Sequence, residues 1–453
     1  MKVTALLKGY QKAAKIAVIS SYPPKGTLYG DNVVGIASFT KNFIIPLVSQ
    51  SKVKAIVLAE IIDRPDIYEE RGILVIRCWK RQSWGILPEI NRQLEQFKSI
   101  SSVEIQLEFN NFGNIWVTAC LPLFSLYHRL KGKRTILVLH QVITDLCELS
   151  GHLGLDPKSF KNLFFSIAIR LYYYLSCFIN NNVIVLEQTL ADRLHRLGVP
   201  YDKIKTIEHG VDKNVPSINK YQAAKTLGLQ NKKIFLVFGF ITWYKGTDLI
   251  IKAFKNLLRE NPELKSQVQL VIAGGPNPHH LHEKHYQQFI RNISREIKGQ
   301  NNITLTGFVP EKKISLYFSA ADLVVLPYRT LMSSSGPLSL ALSFAKPLLV
   351  SKVIAPLLRN GHAFSEKEIL FDPEEVSLKE KLRWALSSDF PSKKMITVAS
   401  ELRTLRDYNL TGKIHFRSLF PKKSPRRKII LKPNFCPTWK LFPKNISSHE
   451  AAV

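Results

Sequence analysis

The sequence predicts an α/β protein made of two doubly wound domains that face each other across a cleft. Short apolar, β-branched runs alternate with helix-length segments, which is typical of parallel sheets covered on both faces. A second strand series begins at Ile234, after the polar, helix-forming segment 221–231. The chain of 453 residues also exceeds one ordinary core, since domains usually hold about 100–200 residues.

The predicted strands of the first half are 15–20, 53–58, 73–78, 115–119, 134–139, 182–186 and 203–207. Those of the second half are 234–238, 268–273, 303–306, 323–326 and 347–350. We therefore divide the chain into a leader (1–14), a first domain (15–215), a second domain (216–390), a closing helical segment (391–420) and a basic aromatic tail (421–453).

The chain is strongly basic, with a formal net charge of +29. A positive field of this size attracts polyanions, which include nucleic acid, nucleotides and an anionic membrane face. The tail from Pro421 concentrates lysine and arginine, and Phe435 and Trp439 lie among them. This mixture favours a membrane interface, and a disordered tail without function is the alternative.

The cysteine and hydropathy patterns indicate a cytosolic protein. Five widely spaced cysteines without a CxxC argue against a disulfide framework or a zinc site. The apolar patch in Met1–Lys15 is too short for a signal peptide. Two longer apolar segments, 115–127 and 160–179, are too short or too interrupted to span a membrane. We favour buried helices for them, with an interfacial helix as the alternative.

The most informative stretch runs from Ile234 to Pro276. An apolar strand ends in Gly239-Phe240, and a helical pattern follows Lys245-Gly246. Open parallel sheets bind ligands at the carboxyl ends of their strands, where amides at a helix start and a lysine ammonium can hold a phosphate. The alternative is a structural turn with an exposed lysine.

A second candidate anion site precedes the apolar helix at Leu338–Phe344. It follows Arg329 and contains Ser334 and Ser335 as helix caps, Gly336 for close backbone approach and Pro337 in the first turn. The two helix starts together can hold the two phosphates of a diphosphate. A well-capped helix without a ligand is the alternative.

In the first domain, His140 follows the strand 134–139, where an imidazole can orient a hydroxyl or transfer a proton. A histidine satisfied by local hydrogen bonds is the alternative. His209 closes another strand at the hinge, and Gly30-Asp31 and Gly35-Ile36 can form a backbone cradle after the first strand.

Several common catalytic motifs are missing from the sequence. It contains no Asp-x-Asp, no GxxxxGK[ST], no GxSxG and no HExxH. We therefore expect no metal or other cofactor, and stabilisation of a leaving diphosphate by Lys245 and helix amides.

A series of short motifs runs in order along about residues 15–415. Its segments are 22–24 (YPP), 35–37 (GIA), 139–141 (LHQ), 208–212 (EHGVD), 238–240 (FGF) with 245–246 (KG), 271–275 (VIAGG), 306–310 (TGFVP), 320–327 (AADLVVLP) and 335–336 (SG). This ordered series, rather than any one motif, resembles that of family 4 glycosyltransferases, which are retaining enzymes with two Rossmann-like domains in the GT-B architecture.

The resemblance implies transfer of a sugar from a nucleotide-diphosphate donor to a hydroxyl of a saccharide or lipid-linked acceptor, with retention. The first domain would be the acceptor side and the second would bind the nucleotide sugar. His140 and Lys245 are the implied catalytic residues, and Gly35, Ile36 and His209 the acceptor or diphosphate loop. The donor residues are Gly239, Phe240, Lys245, Gly246, Gly274, Arg329, Ser334, Ser335, Gly336 and Pro337.

The chain also departs from the family pattern. The two usual glutamates fall at approximately Met332 and Leu340, Phe240 replaces an arginine, and Ala345 replaces a glycine. Our first hypothesis is a cytosolic, peripherally membrane-associated glycosyltransferase that makes a polysaccharide or lipid-linked glycan. A catalytically inactive scaffold protein of a glycan-assembly complex is the alternative. We expect no specific nucleic acid partner, since no RNA-binding motif accompanies the charge.

Overall fold

The computed structural model describes residues 2–28, 35–109, 111–146, 160–358 and 369–420. Its strands are β1 Ala14–Ile19, β2 Lys54–Glu60, β3 Asp66–Glu70, β4 Ile73–Trp79, β5 Ser102–Leu107, β6 Arg134–Leu139, β7 Asn182–Val185, β8 Ile204–Thr206, β9 Lys233–Phe238, β10 Val268–Ala273, β11 Ile303–Leu305, β12 Leu323–Leu326, β13 Leu348–Ser351 and β14 Leu370–Phe371.

The α-helices cover both faces of the two sheets that these strands form. They are α1 Lys2–Gln11, α2 Ile36–Ser51, α3 Ile86–Glu95, α4 Ile115–Ala119, α5 Leu121–Leu130, α6 Phe160–Ile179, α7 Gln188–Arg196, α8 Lys220–Thr226, α9 Thr247–Glu260, α10 Lys284–Ile297, α11 Glu311–Ala320, α12 Gly336–Ser343, α13 Glu375–Trp384, α14 Ser392–Leu405 and α15 Tyr408–Leu419.

The first sheet has the order β3-β4-β2-β1-β5-β6-β7-β8. All pairs are parallel except β3 with β4, which is an antiparallel edge. The strand order reverses beside β1, so the loops after β1 and β5 diverge there and open a crevice. Helix α1, predicted as a leader, buries Tyr10 in the core of this sheet.

The second sheet has the order β11-β10-β9-β12-β13-β14 and is parallel throughout. Its strands are almost wholly buried because helices cover both faces, as near-continuous apolar runs predict. The reversal lies beside β9, so the loops after β9 and β12 border the second crevice.

The chain crosses between the two sheets twice, and the crossings lie side by side. Val211 forms a bridge with Asp407, with Val211 N donating to Arg406 O at 2.7 Å. Just before Asp407, α14 packs on α12 of the second sheet, and just after it α15 packs on α2 of the first. Gly210 must be a glycine, since a Cβ there would lie 2.2 Å from the Tyr408 ring.

The prediction of a strand at 115–119 is wrong, because this segment is helix α4. Asn114 caps it, accepting hydrogen bonds from the backbone amides of Trp116 and Val117. The strand beside β1 near the centre of the sheet is instead β5. We did not predict β5, although its sequence Ser102–Leu107 alternates in hydrophobicity. The short strands β3 and β14 were also missed.

Residues 160–179 form a helix, as expected, but much of this helix is exposed rather than buried. Phe160, Ile167 and Phe178 are exposed on α6, although all are strongly apolar. Within the described part of the chain, α6 contains one stretch that is long and apolar enough to cross a membrane by length and composition.

Candidate functional site

Residues that follow strands of the first sheet contact residues that follow strands of the second sheet. Gln141, which follows His140 after β6, forms an antiparallel bridge with Ser333 in the loop after β12. Leu28, in the loop after β1, donates its amide to Glu311 Oε2 of α11 at 2.7 Å. The carboxyl ends of the strands therefore border one cleft between the two sheets.

The structure brings Lys245 to the start of α12. A Cβ placed on Gly239 would lie 3.2 Å from Lys245 Nζ and 3.3 Å from Pro337 Cγ. The amine and the first turn of α12 therefore both lie against the same glycine at the end of β9. This is the juxtaposition that simultaneous contact with one diphosphate requires.

Glycines allow the strand ends to come so close. Gly246 has a φ of +69°, and a Cβ there would lie 1.9 Å from Pro327 O. A Cβ on Gly274 would lie 1.9 Å from Gly239 O. The structure thus gives Gly274 a packing role in positioning the loop, distinct from the predicted direct contact with the donor.

Arg329 is not free to bind a donor as predicted. Its guanidinium makes a bidentate pair with Asp248, with both N···O distances at 2.7 Å, and also donates to Trp243 O at 2.9 Å. The Arg329 amide donates to Tyr244 O. Arg329 therefore positions the loop that carries Lys245, because its fork is occupied by a carboxylate of α9.

Ser335 caps α12, as predicted. Its Oγ accepts from the Leu338 amide at 3.2 Å and lies 2.9 Å from the Tyr328 hydroxyl. Pro337 has no amide hydrogen, so this helix start offers a ligand fewer donors than the sequence suggested. Ser334 lines a small cavity, and Phe240 lies 6.3 Å from Phe308 between ring centroids.

A carboxylate that the sequence analysis missed lies near Lys245. Glu108 directly follows β5, and burial raises its pKa while Arg81 and Lys245 oppose the change. Burial lowers the pKa of Lys245 to about 8, and Glu108 opposes that change in turn. The lysine is thus mostly protonated at pH 7 and loses its charge around pH 8, and a bound anion would favour the ammonium form.

His140 ends a buried chain of hydrogen bonds. Its Nε2 lies 2.7 Å from Gln106 Oε1, Gln106 Nε2 donates to Glu104 Oε1 at 2.5 Å, and Glu104 Oε2 contacts His415 of α15. Because Gln106 gives its N–H to Glu104, its oxygen faces His140, so Nε2 of His140 carries the proton. Nδ1 is then the acceptor nitrogen of His140.

The predicted role of His140 as an acid near neutral pH is corrected by its surroundings. Burial, with a smaller effect from His209, lowers the pKa of His140 to about 3. The imidazole is therefore neutral across the physiological range and acts only through hydrogen bonds or as a weak base.

His209 and His140 both contact one aromatic ring, that of Phe39. The Phe39 ring is 4.7 Å from His140 and 5.1 Å from His209 between centroids. Phe39 belongs to α2, which begins after the exposed Gly35, so this helix start lies near both histidines. Ile36 is buried in the core, and Gly30-Asp31 lie outside the described residues.

A small cavity beneath His209 was not predicted. Glu208, Arg406, Ser335 and Ser339 line it, and Arg406 Nε lies 2.9 Å from Glu208 Oε2. Burial lowers the pKa of Arg406 against the opposing effect of Glu208. Arg406 reaches this cavity because the chain crosses back between the sheets at Asp407. No local sequence motif therefore predicts that Arg406 lies beside Glu208.

The two positions at which the family usually carries glutamates hold apolar side chains that pack against other apolar residues. Met332 packs against Ile143 and Leu146 of the first half, and Leu340 packs on the core of the second sheet. Neither position offers a carboxylate to the cleft. Ala345, in place of a glycine, adopts a φ of +48°, which explains why glycine suits this turn.

Residues 220–401 match the family model described as glycosyl transferases group 1. The D-inositol 3-phosphate glycosyltransferase of Thermobispora bispora is 24% identical over 148 residues, which is 32% of this chain and 33% of that relative. The chain thus spans about a third of the length of the curated relatives that it matches. The match to the group 1 family model lies within the second half of the chain.

Solved structures support the whole fold. Sucrose-phosphate synthase of Thermosynechococcus elongatus has a TM-score of 0.68 at 15% identity, covering 90% of this chain and 99% of that one. HepE of Anabaena in complex with UDP-glucose has a TM-score of 0.62 at 15% identity, covering 89% and 99%. The predicted fold of two Rossmann-like domains in the GT-B arrangement is confirmed.

Proposed function

We propose that the protein is a family 4 glycosyltransferase that moves a sugar from a nucleotide-diphosphate donor to a hydroxyl of a saccharide or lipid-linked acceptor, with retention. The observation that carries the proposal is that Lys245 Nζ and the first turn of α12 both lie against Gly239. The group 1 domain over residues 220–401 supports the same reaction class.

The reaction needs stabilisation of a leaving diphosphate more than it needs a side-chain nucleophile. The bond between the anomeric carbon and the β-phosphate oxygen breaks, and the acceptor oxygen bonds to the same face of that carbon. The acceptor proton passes to the departing diphosphate oxygen. Lys245 stabilises the growing negative charge, and the neutral His140 orients a sugar hydroxyl. We propose no metal in this reaction.

The first domain would receive the acceptor. Helix α2 begins at Ile36, and the ring of its Phe39 contacts both His140 and His209. We assign this region to the acceptor. We keep the cytosolic location and the attraction of the basic tail to an anionic membrane as proposals. The tail lies outside the described residues.

The test is a screen of nucleotide sugars with the purified full chain, measuring release of nucleoside diphosphate with and without a lipid extract as acceptor. Lys245→Ala should abolish release and weaken donor binding. Lys352→Ala is the matched control, because this exposed lysine of the same domain pairs with Asp372 and lies outside the proposed site. Equal release by the Lys245→Ala variant would refute the assignment.

A non-catalytic binding protein is the second candidate. The observation in its favour is that Met332 and Leu340 pack as apolar side chains where the family carries acids. Stabilisation by nucleotides in a thermal-shift assay, without turnover of any donor in the screen, would select this candidate.

A further inference from the structure

Helix α6 exposes a broad apolar stripe to solvent, while its buried face mixes polar residues with Tyr173 and Cys177 of the core. Its exposed stripe is Phe160, Leu163, Phe164, Ile167, Leu171 and Phe178, which recur at the spacing of one helix face. Its buried face includes Asn162, Ser166 and Ser176, each at most 4% exposed. A helix on the surface of a soluble domain normally buries the apolar stripe and exposes the polar one.

Hydrogen bonds fix the buried face of α6 to the domain. The Tyr173 hydroxyl donates to Gln141 O at 3.0 Å and accepts from the Ile143 amide at 3.3 Å. Ser166 Oγ accepts from the Leu146 amide at 3.2 Å. The helix would lose these bonds by crossing a bilayer alone, so it lies along the domain with its apolar stripe outward.

The neighbouring helix α5 extends the apolar surface. It packs against α6 and exposes Leu123 and Leu130, which lie two turns apart on one face. Segment 115–135 contains four lysines and arginines and no acid, although Lys131 pairs with Glu95 of α3. Helix α6 also contains no acid. Apolar stripes with basic and no acidic residues suit an anionic lipid surface.

We propose that the exposed stripe of α6, with that of α5, is a docking face that inserts into the headgroup and acyl boundary of an anionic membrane. The aromatic and aliphatic side chains enter the boundary, while Arg129 and Arg170 reach phosphate headgroups from its edge. Both arginines are exposed, and Arg129 donates to Ile179 O while Arg170 donates to Thr144 O.

The docking face is linked directly to the cleft. Tyr173 on the inner side of α6 holds the loop that follows His140, and Ile169 packs in the same small cluster as Met332. A membrane that holds α6 would therefore also restrain this loop. The inference concerns binding to lipid and does not depend on the proposed sugar transfer.

The test is co-sedimentation of the full chain with phosphatidylcholine vesicles, with and without phosphatidylglycerol. The variant replaces Leu163, Phe164, Ile167 and Leu171 by glutamine, which keeps helix propensity and removes apolar area. We expect wild-type protein to bind anionic vesicles and the variant to bind at least about tenfold more weakly, since each buried apolar side chain contributes strongly to partitioning.

The matched control replaces four exposed apolar residues of the closing region and α13 by glutamine, namely Val376, Ile396, Leu405 and Leu410. This control should bind anionic vesicles like wild type. A thermal midpoint measured for each variant shows that it is folded, and we expect the α6 variant to melt no lower than wild type because its new side chains face solvent.

Three results would overturn the proposal. The first is equal binding by wild type and the α6 variant, with binding lost instead when Lys422, Lys423, Arg426, Arg427 and Lys428 of the full chain become glutamine. The second is no binding of wild-type protein to either vesicle. The third is a wild-type dimer that becomes a monomer in the α6 variant by sedimentation velocity, since the face would then pair two copies of the chain.

Discussion

The affinity of the protein for a nucleoside diphosphate should depend on the charge of Lys245. Burial lowers the pKa of Lys245 to about 8 in the unliganded protein. A bound diphosphate favours the ammonium form and raises this pKa, so the binding step takes up a proton at alkaline pH. The dissociation constant should therefore rise as pH passes above 8.

The size of the effect follows from the titration. If the bound state keeps its proton, the dissociation constant rises by about 30-fold between pH 7 and 9.5, or about 2 kcal/mol. The terminal phosphate of the ligand is already largely ionised at pH 7, since its second pKa is about 6. The measurement is isothermal titration calorimetry with UDP, ADP and GDP, because the donor base is unknown.

Two variants separate Lys245 from other groups. Lys245→Arg should bind with little pH dependence, because a guanidinium keeps its charge throughout this range. Lys346→Arg is the matched control, since burial also lowers the pKa of Lys346 to about 8 while its amine donates to the backbone of Ser319 and Ala321. A flat profile for wild type, or an undiminished rise in Lys245→Arg, would refute the reasoning.

Four further predictions concern stability. Gly246→Ala should lower the free energy of unfolding, measured by urea titration, by more than about 2 kcal/mol. Gly228→Ala should lower it by only about 1 kcal/mol, because Gly228 also has a positive φ but a Cβ there would meet no neighbouring atom. His140 has a pKa of about 3 when folded and about 6.5 unfolded, so stability should fall as pH drops from 6.5 towards 4, and His140→Gln should make that fall shallower. Met332→Glu should cost about 2 kcal/mol or more by placing a carboxylate in an apolar cluster, with Met332→Leu near neutral as its control. Ala345→Gly should raise the melting temperature, since glycine tolerates the φ of +48°, and no change there would contradict the strain.

Local chemistry explains which elements were predicted correctly. The apolar runs at β9, β10 and β12, and the serine, glycine and proline at the start of α12, act through neighbours in sequence. The strand prediction at 115–119 failed because the apolar composition outweighed the capping signal of Asn114, and β5 was missed although its alternation was present.

The sequence by itself determined that parallel strands end in loops that can bind phosphate. The preference of a residue for a strand or for a helix N-cap depends on its neighbours within a few positions, so a local pattern is enough. Only the tertiary structure decided that Lys245 meets α12, that Arg329 is occupied by Asp248, and that His140 is neutral. It likewise turned the apolar stripe of α6 outward. These properties depend on burial and on partners distant along the chain, which a local pattern does not encode.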